Sequence, residues 1–275
     1  MPKREVVALD IGGTNLRYGL VRNNKIIRFV RRPTPSGKEA LLNAIFNSID
    51  EMIENENNVR GIGIASPGPL RNGIILNPPN ISLKNFDLKK AVQKEARMKV
   101  EIDNDAKCVA LAESVLGVRK KNFFVLTLGT GIGGGVVIDG KVYNSRDIGT
   151  ELGDIYLTSE KRFEELASGK AISQRTQEIF GRELLVQDLL RTKGKRAKKV
   201  LDEVVEYLGQ GIGSLINIFN PEIVVLAGGM REAGEEFLKR IEEEAKKYIS
   251  LPKEYDIVWS KLKEPGVLGA SLLID

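Results

Sequence analysis

The sequence predicts an α/β protein made of two similar halves, and two observations support this. Short apolar runs typical of buried strands alternate along the chain with segments whose apolar residues recur at helical spacing. In addition, a strand, a glycine-threonine turn and a strand hairpin occur twice, over residues 6–30 and again over residues 123–143. The matching order of these elements favours an internal duplication over a chance similarity between two glycine-rich hairpins.

The first half begins with three predicted strands and a helix. The strands cover residues 6–9, 16–21 and 26–30, and the turn Asn23-Asn24 separates the last two. Apolar residues at helical spacing predict a helix over residues 38–54. These elements place the first glycine-rich turn directly after the first strand.

Two further strands of the first half end in segments rich in polar and small residues. A buried strand over residues 62–65 is followed by Ser66-Pro67-Gly68-Pro69. A short strand over residues 100–102 leads through Asp103-Asn104 into a helix that we expect from about Asp105 to Leu116. The carboxyl end of a strand is a common position for side chains that bind ligands.

The second half repeats the strand hairpin and continues with alternating helices and strands. The turn pair Asp139-Gly140 lies between the two hairpin strands. The predicted elements are strands over 123–128, 136–138 and 141–143, a helix over 201–219, a strand over 223–226, a helix over 233–249, a strand near 257–259 and a helix from about 265.

Residue composition excludes several kinds of enzyme. The chain has 275 residues, no histidine and one cysteine, Cys108. Without histidine there is no Ser-His-Asp triad, no Cys-His pair and no Cys/His zinc site. One thiol cannot form an internal disulfide, which favours a reducing compartment. Acid–base chemistry must therefore depend on Asp, Glu, Lys or Tyr, or on a metal ion held by carboxylates.

Charge and hydropathy argue against nucleic acid and membrane as partners. The formal charge is +5, but acidic and basic residues are interleaved in a way typical of solvated helix faces. The single basic run, residues 193–199, contains no aromatic residue and is interpreted as a solvated loop or helix start. No apolar run approaches the roughly 18 residues of a membrane span, and no signal peptide is visible. We therefore expect a cytoplasmic protein.

Three glycine-rich turns follow apolar strands and predict a nucleotide site. They are Gly12-Gly13-Thr14, Gly129 to Gly135 and Gly228-Gly229. Glycine allows backbone N–H groups to approach phosphate oxygens closely. The string Gly129-x-Gly131-x-x-Gly134 matches a dinucleotide fingerprint, but that fold requires a helix next, and the following residues predict a hairpin.

Two aspartates at strand ends are candidates for the chemistry. Asp10 follows the first strand and is interpreted either as a Mg²⁺ ligand, directly or through water, or as a residue that caps the turn. Asp105 is interpreted either as a helix N-cap or as a base that accepts a hydroxyl proton during phosphoryl transfer. Glu151, Asp154 and Glu164 are interpreted either as ordinary loop acids or as carboxylates that would bind a polyhydroxylated ligand, because carboxylates form strong hydrogen bonds with sugar hydroxyls.

These motifs together resemble the ROK family of sugar kinases and repressors, within the duplicated actin-like (ribonuclease H-like) ATPase fold. The resemblance covers nearly the whole chain and implies two lobes with a central cleft: residues 1–104 with 265–275, and residues 105–264. Its motifs are Leu9 to Asn15, Ser66 to Pro69, Pro79-Asn80, Asn104 to Glu113, Thr150 to Asp154, Gly129 to Gly135, Asn220-Pro221 and Ala227 to Gly229.

The resemblance implies a role for each matching residue, with Asp105 as the catalytic base. It implies sugar binding by Gly68, Asn80, Asn104, Asp105, Glu151, Asp154 and Glu164. It implies nucleotide binding by Asp10, Gly12, Gly13, Thr14, Asn15, Gly129, Thr130, Gly131, Gly133, Gly228 and Gly229. The implied cofactors are ATP and Mg²⁺, the latter at Asp10.

The sequence departs from the family pattern at its zinc site. Asp154 stands where the family usually has a histidine that contacts both sugar and zinc, and the zinc cysteines are missing between Lys161 and Ala167. We therefore expect no zinc and an altered sugar preference near carbons 1 and 2. The absence of a preceding helix-turn-helix region argues against the repressor branch.

The resemblance implies an ATP-dependent hexokinase or glucokinase acting on the 6-hydroxyl of a hexose. Three alternatives stay open: an N-acetylhexosamine or N-acetylmannosamine kinase, a sugar-sensing regulator without catalysis, and an actin-like ATPase that activates another enzyme. The partners expected are the sugar and ATP, with a homodimer left open as an assembly.

Overall fold

The computed structural model describes residues 5–78, 80–144 and 150–274, and these form two compact units. The first unit contains the described residues of Met1–Arg119, Lys141–Gly149 and Leu262–Asp275, and the second contains those of Lys120–Gly140 and Thr150–Lys261. The two lobes predicted from the sequence have other boundaries than these units, and that division into domains stays a prediction. The difference arises because the helix that begins at Asp105 packs against the last helix within the first unit.

The predicted elements occur in their predicted order, with small differences at their ends, and further short strands and helices lie between them. In chain order they are β1 (Glu5–Ile11), β2 (Asn15–Arg22), β3 (Lys25–Pro33), α1 (Lys38–Ile53), β4 (Val59–Ser66), β5 (Leu70–Arg71), β6 (Ile74–Ile75), β7 (Phe86–Asp87), α2 (Leu88–Ala96), β8 (Lys99–Asn104), α3 (Asp105–Val115), β9 (Phe123–Leu128), β10 (Ile132–Ile138), β11 (Lys141–Val142), α4 (Phe163–Ala167), α5 (Gly169–Phe180), α6 (Val186–Arg191), α7 (Lys195–Phe219), β12 (Ile223–Ala227), α8 (Gly234–Ala245), β13 (Ile257–Trp259) and α9 (Pro265–Ser271).

The first unit contains a five-stranded sheet in the order β3-β2-β1-β4-β8. Strands β1, β4 and β8 are parallel, whereas β2 and β3 are antiparallel to their neighbours. Asn23 and Asn24 both have positive φ, as the predicted two-residue turn requires. Buried residues of β1, β2, β4, α1 and α2 form one apolar core of this unit. The parallel strands bring three carboxyl ends to one edge of the sheet.

Helix α9 fixes α3 against the sheet of the first unit through very close backbone approach. A Cβ on Gly269 of α9 would overlap the carbonyl oxygen of Cys108 in α3. A Cβ on Gly63 of β4 would overlap the carbonyl oxygen of Ala270. Glycine at both positions therefore sets how closely α9 approaches α3 on one side and β4 on the other.

The second unit repeats the strand order of the first. Strands β10-β9-β12-β13 match β2-β1-β4-β8 in order and in direction, with one antiparallel pair followed by two parallel pairs. The buried core of this unit lies among β9, β12 and helices α4 to α8, with α7 contributing most of one helical face. The predicted internal duplication and the α/β fold class are confirmed.

Three sequence predictions differ from the structure in detail. Helix α7 begins at Lys195 rather than near Leu201, so the basic run includes a helix start as one interpretation predicted. The helix predicted over 233–249 consists of α8 followed by a 3₁₀ turn at Lys246–Tyr248. Gly133 to Gly135, predicted as part of a turn, lie inside β10, where Gly133 is opposite Thr127.

Candidate active site

Three parallel strands of the first unit end at the same edge of its sheet, and each end carries a residue of the predicted site. In the register of these strands Asp10 is opposite Ala65, Ala65 is opposite Asp103, and Ser66 is opposite Asn104. Asp10, the loop containing Gly68 and the start of α3 therefore lie side by side. The local sequence achieves this because each apolar strand stops at a polar or glycine-rich segment.

Asn104, and not Asp105, caps helix α3. The Asn104 Oδ1 atom accepts a hydrogen bond from the Lys107 N–H at 3.2 Å, and its Nδ2 atom donates to the Gly68 carbonyl at 3.2 Å. Asp105 is the first residue of the helix, and its Oδ1 atom accepts from the Ala106 N–H at 2.8 Å. The N-cap interpretation of Asp105 is therefore wrong, because its neighbour already fills that position.

Burial and a neighbouring charge change the acidity of Asp105. Loss of hydration raises the pKa of its carboxyl to about 6, and the negative charge of Asp10 adds to the increase. The hydrogen bond from the Ala106 N–H acts in the opposite direction. A carboxyl with this pKa is ionised at neutral pH and is a stronger proton acceptor than an ordinary aspartate.

A buried lysine supports the start of α3. The Lys107 Nζ atom donates to the Asp103 Oδ1 atom at 2.7 Å and to the Asn144 Oδ1 atom at 3.0 Å. The Lys107 side chain is almost completely buried, so these hydrogen bonds replace contacts with water. These hydrogen bonds connect β8 and Asn144 to the first turn of α3, which carries Asp105.

Asp10 faces the positively charged side chain of Arg17. The Arg17 Nη1 atom lies 3.1 Å from the Asp10 Oδ2 atom, and the Arg17 Nε atom lies 3.5 Å from the Glu264 Oε2 atom. Burial raises the pKa of Asp10, and the positive charge of Arg17 opposes that increase. A Cβ on Gly266 would lie 2.5 Å from Asp10 Oδ2, so α9 begins directly against this carboxylate.

The turn after β1 is tightly closed and lies against Asn80. The Gly12 N–H donates to the Asn15 carbonyl at 2.9 Å, and the Thr34 hydroxyl donates to the Gly12 carbonyl at 2.6 Å. A Cβ on Gly13 would lie 2.5 Å from the Asn80 Cβ atom. Asn80 is thus adjacent to the phosphate-type turn, whereas Pro79 lies outside the described residues.

Gly68 adopts a backbone conformation that favours glycine. Its φ is +126°, and a Cβ there would lie 3.6 Å from the backbone of Pro78. Because the Gly68 carbonyl accepts a hydrogen bond from the Asn104 Nδ2 atom, this loop is fixed to the start of α3. Three predicted sugar-side residues of the first unit, Gly68, Asn104 and Asp105, are therefore brought together.

In the second unit the turn Gly129 to Gly131 lies against the start of α5. The Gly169 N–H donates to the Gly129 carbonyl at 2.8 Å, and the Lys170 N–H donates to the Thr130 carbonyl at 3.0 Å. Because these carbonyls are engaged by the helix, the turn is held in one conformation. A Cβ on Gly129 would meet no atom within 4 Å, so this side of the turn is open to a ligand.

Gly228 and Gly229 follow β12, which lies beside β9 in parallel. Ala227 is opposite Thr127, so both glycine turns emerge from neighbouring strand ends. Gly228 has a φ of +94° and approaches the Leu128 carbonyl, whereas a Cβ on Gly229 would meet no atom within 4 Å. The predicted nucleotide-binding glycines of this unit are therefore brought together, apart from Gly133 within β10.

Glu164 contacts the glycine turn of its own unit. Its Oε2 atom accepts a hydrogen bond from the Ile132 N–H at 2.7 Å, and a Cβ on Gly131 would overlap the same oxygen. The predicted sugar-binding carboxylate is thus packed against the predicted phosphate-binding turn.

Asp154 forms an ion pair that the sequence did not predict. Its Oδ1 atom lies 2.8 Å from the Arg162 Nη1 atom, and the Arg162 Nε atom also lies 3.0 Å from Glu165. Asp154 ends the 3₁₀ turn Leu152–Asp154, which follows Glu151. Both members of the pair are exposed, so the contact adds little to stability.

Carboxylates at the sheet edge are the candidate metal ligands. Among residues 5–78, 80–144 and 150–274 no cluster of three or more Asp, Glu or Cys side chains could hold a metal ion by itself. Mg²⁺ that accompanies a nucleotide usually takes only one or two protein carboxylates and several phosphate oxygens. Asp10, at a strand end beside a glycine turn, fits that requirement.

Sequence reasoning missed Arg17, Lys107 and Arg162. Arg17 could have been found, because a hairpin that turns at Gly12 to Asn15 places it opposite Asp10. Lys107 and Arg162 each have one partner close in sequence, Asp103 and Glu165, but their contacts with Asn144 and Asp154 depend on the fold.

The described helices include none long and apolar enough to cross a membrane. The duplicated α/β units and the glycine turns at their strand ends define a protein of the actin-like ATPase fold.

Comparison with known proteins agrees with this class. The chain belongs to the ROK family, whose match covers residues 6–275. A glucokinase from Thermotoga maritima is 33% identical over 312 residues, which include 100% of this chain and 98% of the relative.

Two solved structures are similar over almost their full length. A ROK hexokinase from Thermus thermophilus has 29% identity and a TM-score of 0.83, with 98% of this chain and 97% of that chain covered. A ROK family glucokinase from Streptomyces griseus, solved with glucose and AMPPNP, has 24% identity and a TM-score of 0.88, with 98% and 99% covered. At 24% identity, the similarity to the Streptomyces griseus structure establishes the fold alone.

Proposed function

We propose that this protein is an ATP-dependent sugar kinase that phosphorylates a hexose at the 6-hydroxyl, with glucose or a broader set of hexoses as substrate. The observation that carries the proposal is Asp105, which begins α3, does not cap it and has a pKa raised to about 6. This is the chemistry that a general base for a hydroxyl group requires. The glucokinase and hexokinase relatives support the same class of reaction.

The proposed reaction transfers a phosphoryl group and a proton in one step. A bond forms between the sugar oxygen and the γ-phosphorus, the bond between that phosphorus and the β–γ bridging oxygen breaks, and the hydroxyl proton passes to Asp105. ADP leaves with the bridging oxygen. Because phosphoryl transfer needs mainly positioning and charge neutralisation, the residues around Asp105 matter as much as the base.

The remaining donors and acceptors suit a sugar. The Asn104 amide nitrogen has two protons, of which one is used by Gly68, so the other is available to a hydroxyl. Glu164 uses Oε2 to accept from Ile132, and the carboxylate has further lone pairs for a sugar. Gly68 and Asn80 of the first unit are proposed to bind sugar, and so are Glu151 and Asp154 of the second unit.

The glycine turns are proposed to bind ATP. Each of the turns Gly12 to Asn15 and Gly129 to Gly131 would donate backbone N–H groups to phosphates, other than the Gly12 and Gly129 N–H groups, which donate within their own turns. Gly228-Gly229 would leave room for the adenosine. Asp10 would hold Mg²⁺, which supplies positive charge to the phosphates when bound.

The decisive experiment is a coupled ADP-release assay with MgATP and a panel of glucose, mannose, fructose, glucosamine, N-acetylglucosamine and N-acetylmannosamine. We expect release stimulated by glucose or by several hexoses, with little stimulation by N-acetyl sugars. Stimulation only by N-acetyl sugars would identify an N-acetylhexosamine kinase. Sugar binding measured by calorimetry without any stimulated release would contradict catalysis and favour a regulator.

Gly129→Ala should separate nucleotide binding from stability. The new methyl group meets no protein atom, so the unfolding temperature should change by no more than about 2 °C. It would occupy the space through which a phosphate approaches the turn, so AMPPNP should bind at least about tenfold more weakly, near 1.4 kcal/mol. Calorimetric titration measures the affinity, and Gly181→Ala, at the end of α5, is not expected to change it. An unchanged AMPPNP affinity for Gly129→Ala would exclude this turn from the nucleotide site.

A further inference from the structure

Strands β1 and β2 carry two arginine–carboxylate pairs, one at each end of the hairpin. In the register of the two strands Glu5 is opposite Arg22, and Asp10 is opposite Arg17. The Arg22 Nε atom donates to the Glu5 Oε1 atom at 2.7 Å, and the Arg17 Nη1 atom donates to the Asp10 Oδ2 atom at 3.1 Å. The two pairs are chemically alike, so their surroundings reveal what distinguishes them.

The Glu5–Arg22 pair lies at the amino end of β1, away from the edge that carries the candidate site. The Glu5 side chain is only 2% exposed, and Arg22 covers it. A buried carboxylate without a cation would be costly, so this arginine has a sufficient structural role.

The Asp10–Arg17 pair lies at the carboxyl end of β1, beside the first glycine turn. The Arg17 Nη1 atom is 3.8 Å from the position that a Cβ on Gly12 would occupy. The Arg17 side chain is 28% exposed, and its Nε atom lies 3.5 Å from Glu264. Two carboxylates thus hold the guanidinium beside Gly12 of the turn, with part of the Arg17 side chain open to solvent.

Electrostatics near this turn favour a cation of the protein in addition to the Mg²⁺ proposed at Asp10. Asp10 and Asp105 are both acidic, and each charge repels an approaching phosphate. A transferring phosphoryl group spreads negative charge over its oxygens, and enzymes stabilise that charge with positioned cations as well as backbone N–H groups. Arginine suits this purpose, because its planar group presents five donors and keeps its charge.

We propose that Arg17 contacts the terminal phosphates of the nucleotide and stabilises the charge on the transferring phosphoryl group. Asp10 and Glu264 are then positioning residues for its guanidinium. Arg17 keeps all its protons during the step, since Asp105 accepts the hydroxyl proton. This inference rests on the proposed kinase activity and adds a catalytic residue to it.

The test compares Arg17→Ala and Arg17→Lys with Arg22→Lys, the matched change at the other end of the hairpin. Arg17→Ala should lower kcat by about 10²–10³-fold, the usual effect of removing one donor to a developing charge, with the KM for sugar changed less than threefold. Arg17→Lys should lower kcat at least about tenfold, because an ammonium group cannot reproduce the planar contact of a guanidinium. Arg22→Lys should lower the unfolding temperature and leave kcat unchanged.

Rescue by free guanidinium distinguishes catalysis from structure. Guanidinium is added at concentrations on the order of 10 mM, far below those that unfold proteins. It should restore part of the lost kcat in Arg17→Ala, and it should not raise the kcat of Arg17→Lys. A purely structural role would give no rescue and would lower the unfolding temperature and kcat together, which would overturn the inference.

The wild-type assay separates this inference from the proposed function. If the wild-type protein phosphorylates sugars while Arg17→Ala retains wild-type kcat, the inference is overturned and the proposed function stands. If the wild-type protein shows no sugar-stimulated ADP release, the proposed function fails and the inference fails with it.

Discussion

Asp105→Asn should lower kcat by about 10²–10⁴-fold, the range expected when a general base is removed. The amide keeps the shape of the carboxyl and can still accept the hydrogen bond from the Ala106 N–H, so α3 should begin as before. Its oxygen cannot accept the hydroxyl proton at neutral pH. The sugar KM should change only a few-fold, because positioning by Asn104 and Gly68 is retained. Steady-state kinetics with the coupled ADP-release assay gives both values.

The pH dependence of kcat/KM for the wild-type protein should reveal the ionisation of Asp105. Asp105 acts as a base only when ionised, and its pKa is about 6. The value of kcat/KM should therefore be constant above about pH 7 and should fall towards tenfold per pH unit below about pH 6. A profile that is flat down to pH 4.5, or an Asp105→Asn variant with wild-type turnover, would exclude Asp105 as the base.

The same substitution should stabilise the fold at neutral pH. The pKa of Asp105 is raised in the folded state, so the ionised carboxyl destabilises that state above about pH 6. Asp105→Asn should gain about 2–3 kcal/mol at pH 7.5, and the gain should shrink from about pH 6 downwards and disappear below about pH 4, where Asp105 is protonated in both states. Urea unfolding at several pH values measures this difference.

Asp87 provides a matched control for both measurements. It stands before α2 and accepts a hydrogen bond from the Lys90 N–H at 3.0 Å. Burial is the largest single influence and raises the pKa of Asp87, but the hydrogen bonds and charge of Lys90, together with the charge of Lys89, outweigh it, so the pKa is lowered overall. Asp87→Asn should leave kcat unchanged and should not stabilise the protein at neutral pH. A similar stabilisation in both variants would contradict the explanation by burial of charge.

Gly269→Ala should destabilise the protein by about 3 kcal/mol or more, the upper part of the range for overpacking. The added methyl group would overlap the carbonyl oxygen of Cys108, which is backbone and cannot rotate away. Relief requires a shift of α9 away from α3, and α9 also packs on β4 and begins against Asp10. Thermal and urea unfolding measure the loss, and activity should fall in the part that remains folded.

Gly229→Ala is the control for this steric argument. It makes the same chemical change at a position where a Cβ meets no atom within 4 Å, so the free energy of unfolding should change by less than about 0.5 kcal/mol. Equal unfolding free energies for Gly269→Ala and the wild-type protein would show that α9 adjusts without cost, contrary to the prediction.

Much of the architecture could be predicted because it depends on local patterns. The apolar runs of β1 and β9, the paired asparagines at 23–24 and the helical spacing in α1 each specify an element within a few residues. The order of these elements, repeated once, was enough to predict two related α/β units. The limits of α7 and α8 were less well predicted, because charged residues occupy both helices and loops.

The sequence by itself determined that two similar halves form, that Asp10 and Asp105 each follow a strand, and that no histidine can serve as the base. These properties depend on residue type and short-range spacing. Only the tertiary structure decided that the Asn104 side chain donates to the Gly68 carbonyl, and that burial beside Asp10 raises the pKa of Asp105 to about 6. The physical reason is that strand register, desolvation and charge–charge distance do not exist until separate segments assemble around one core.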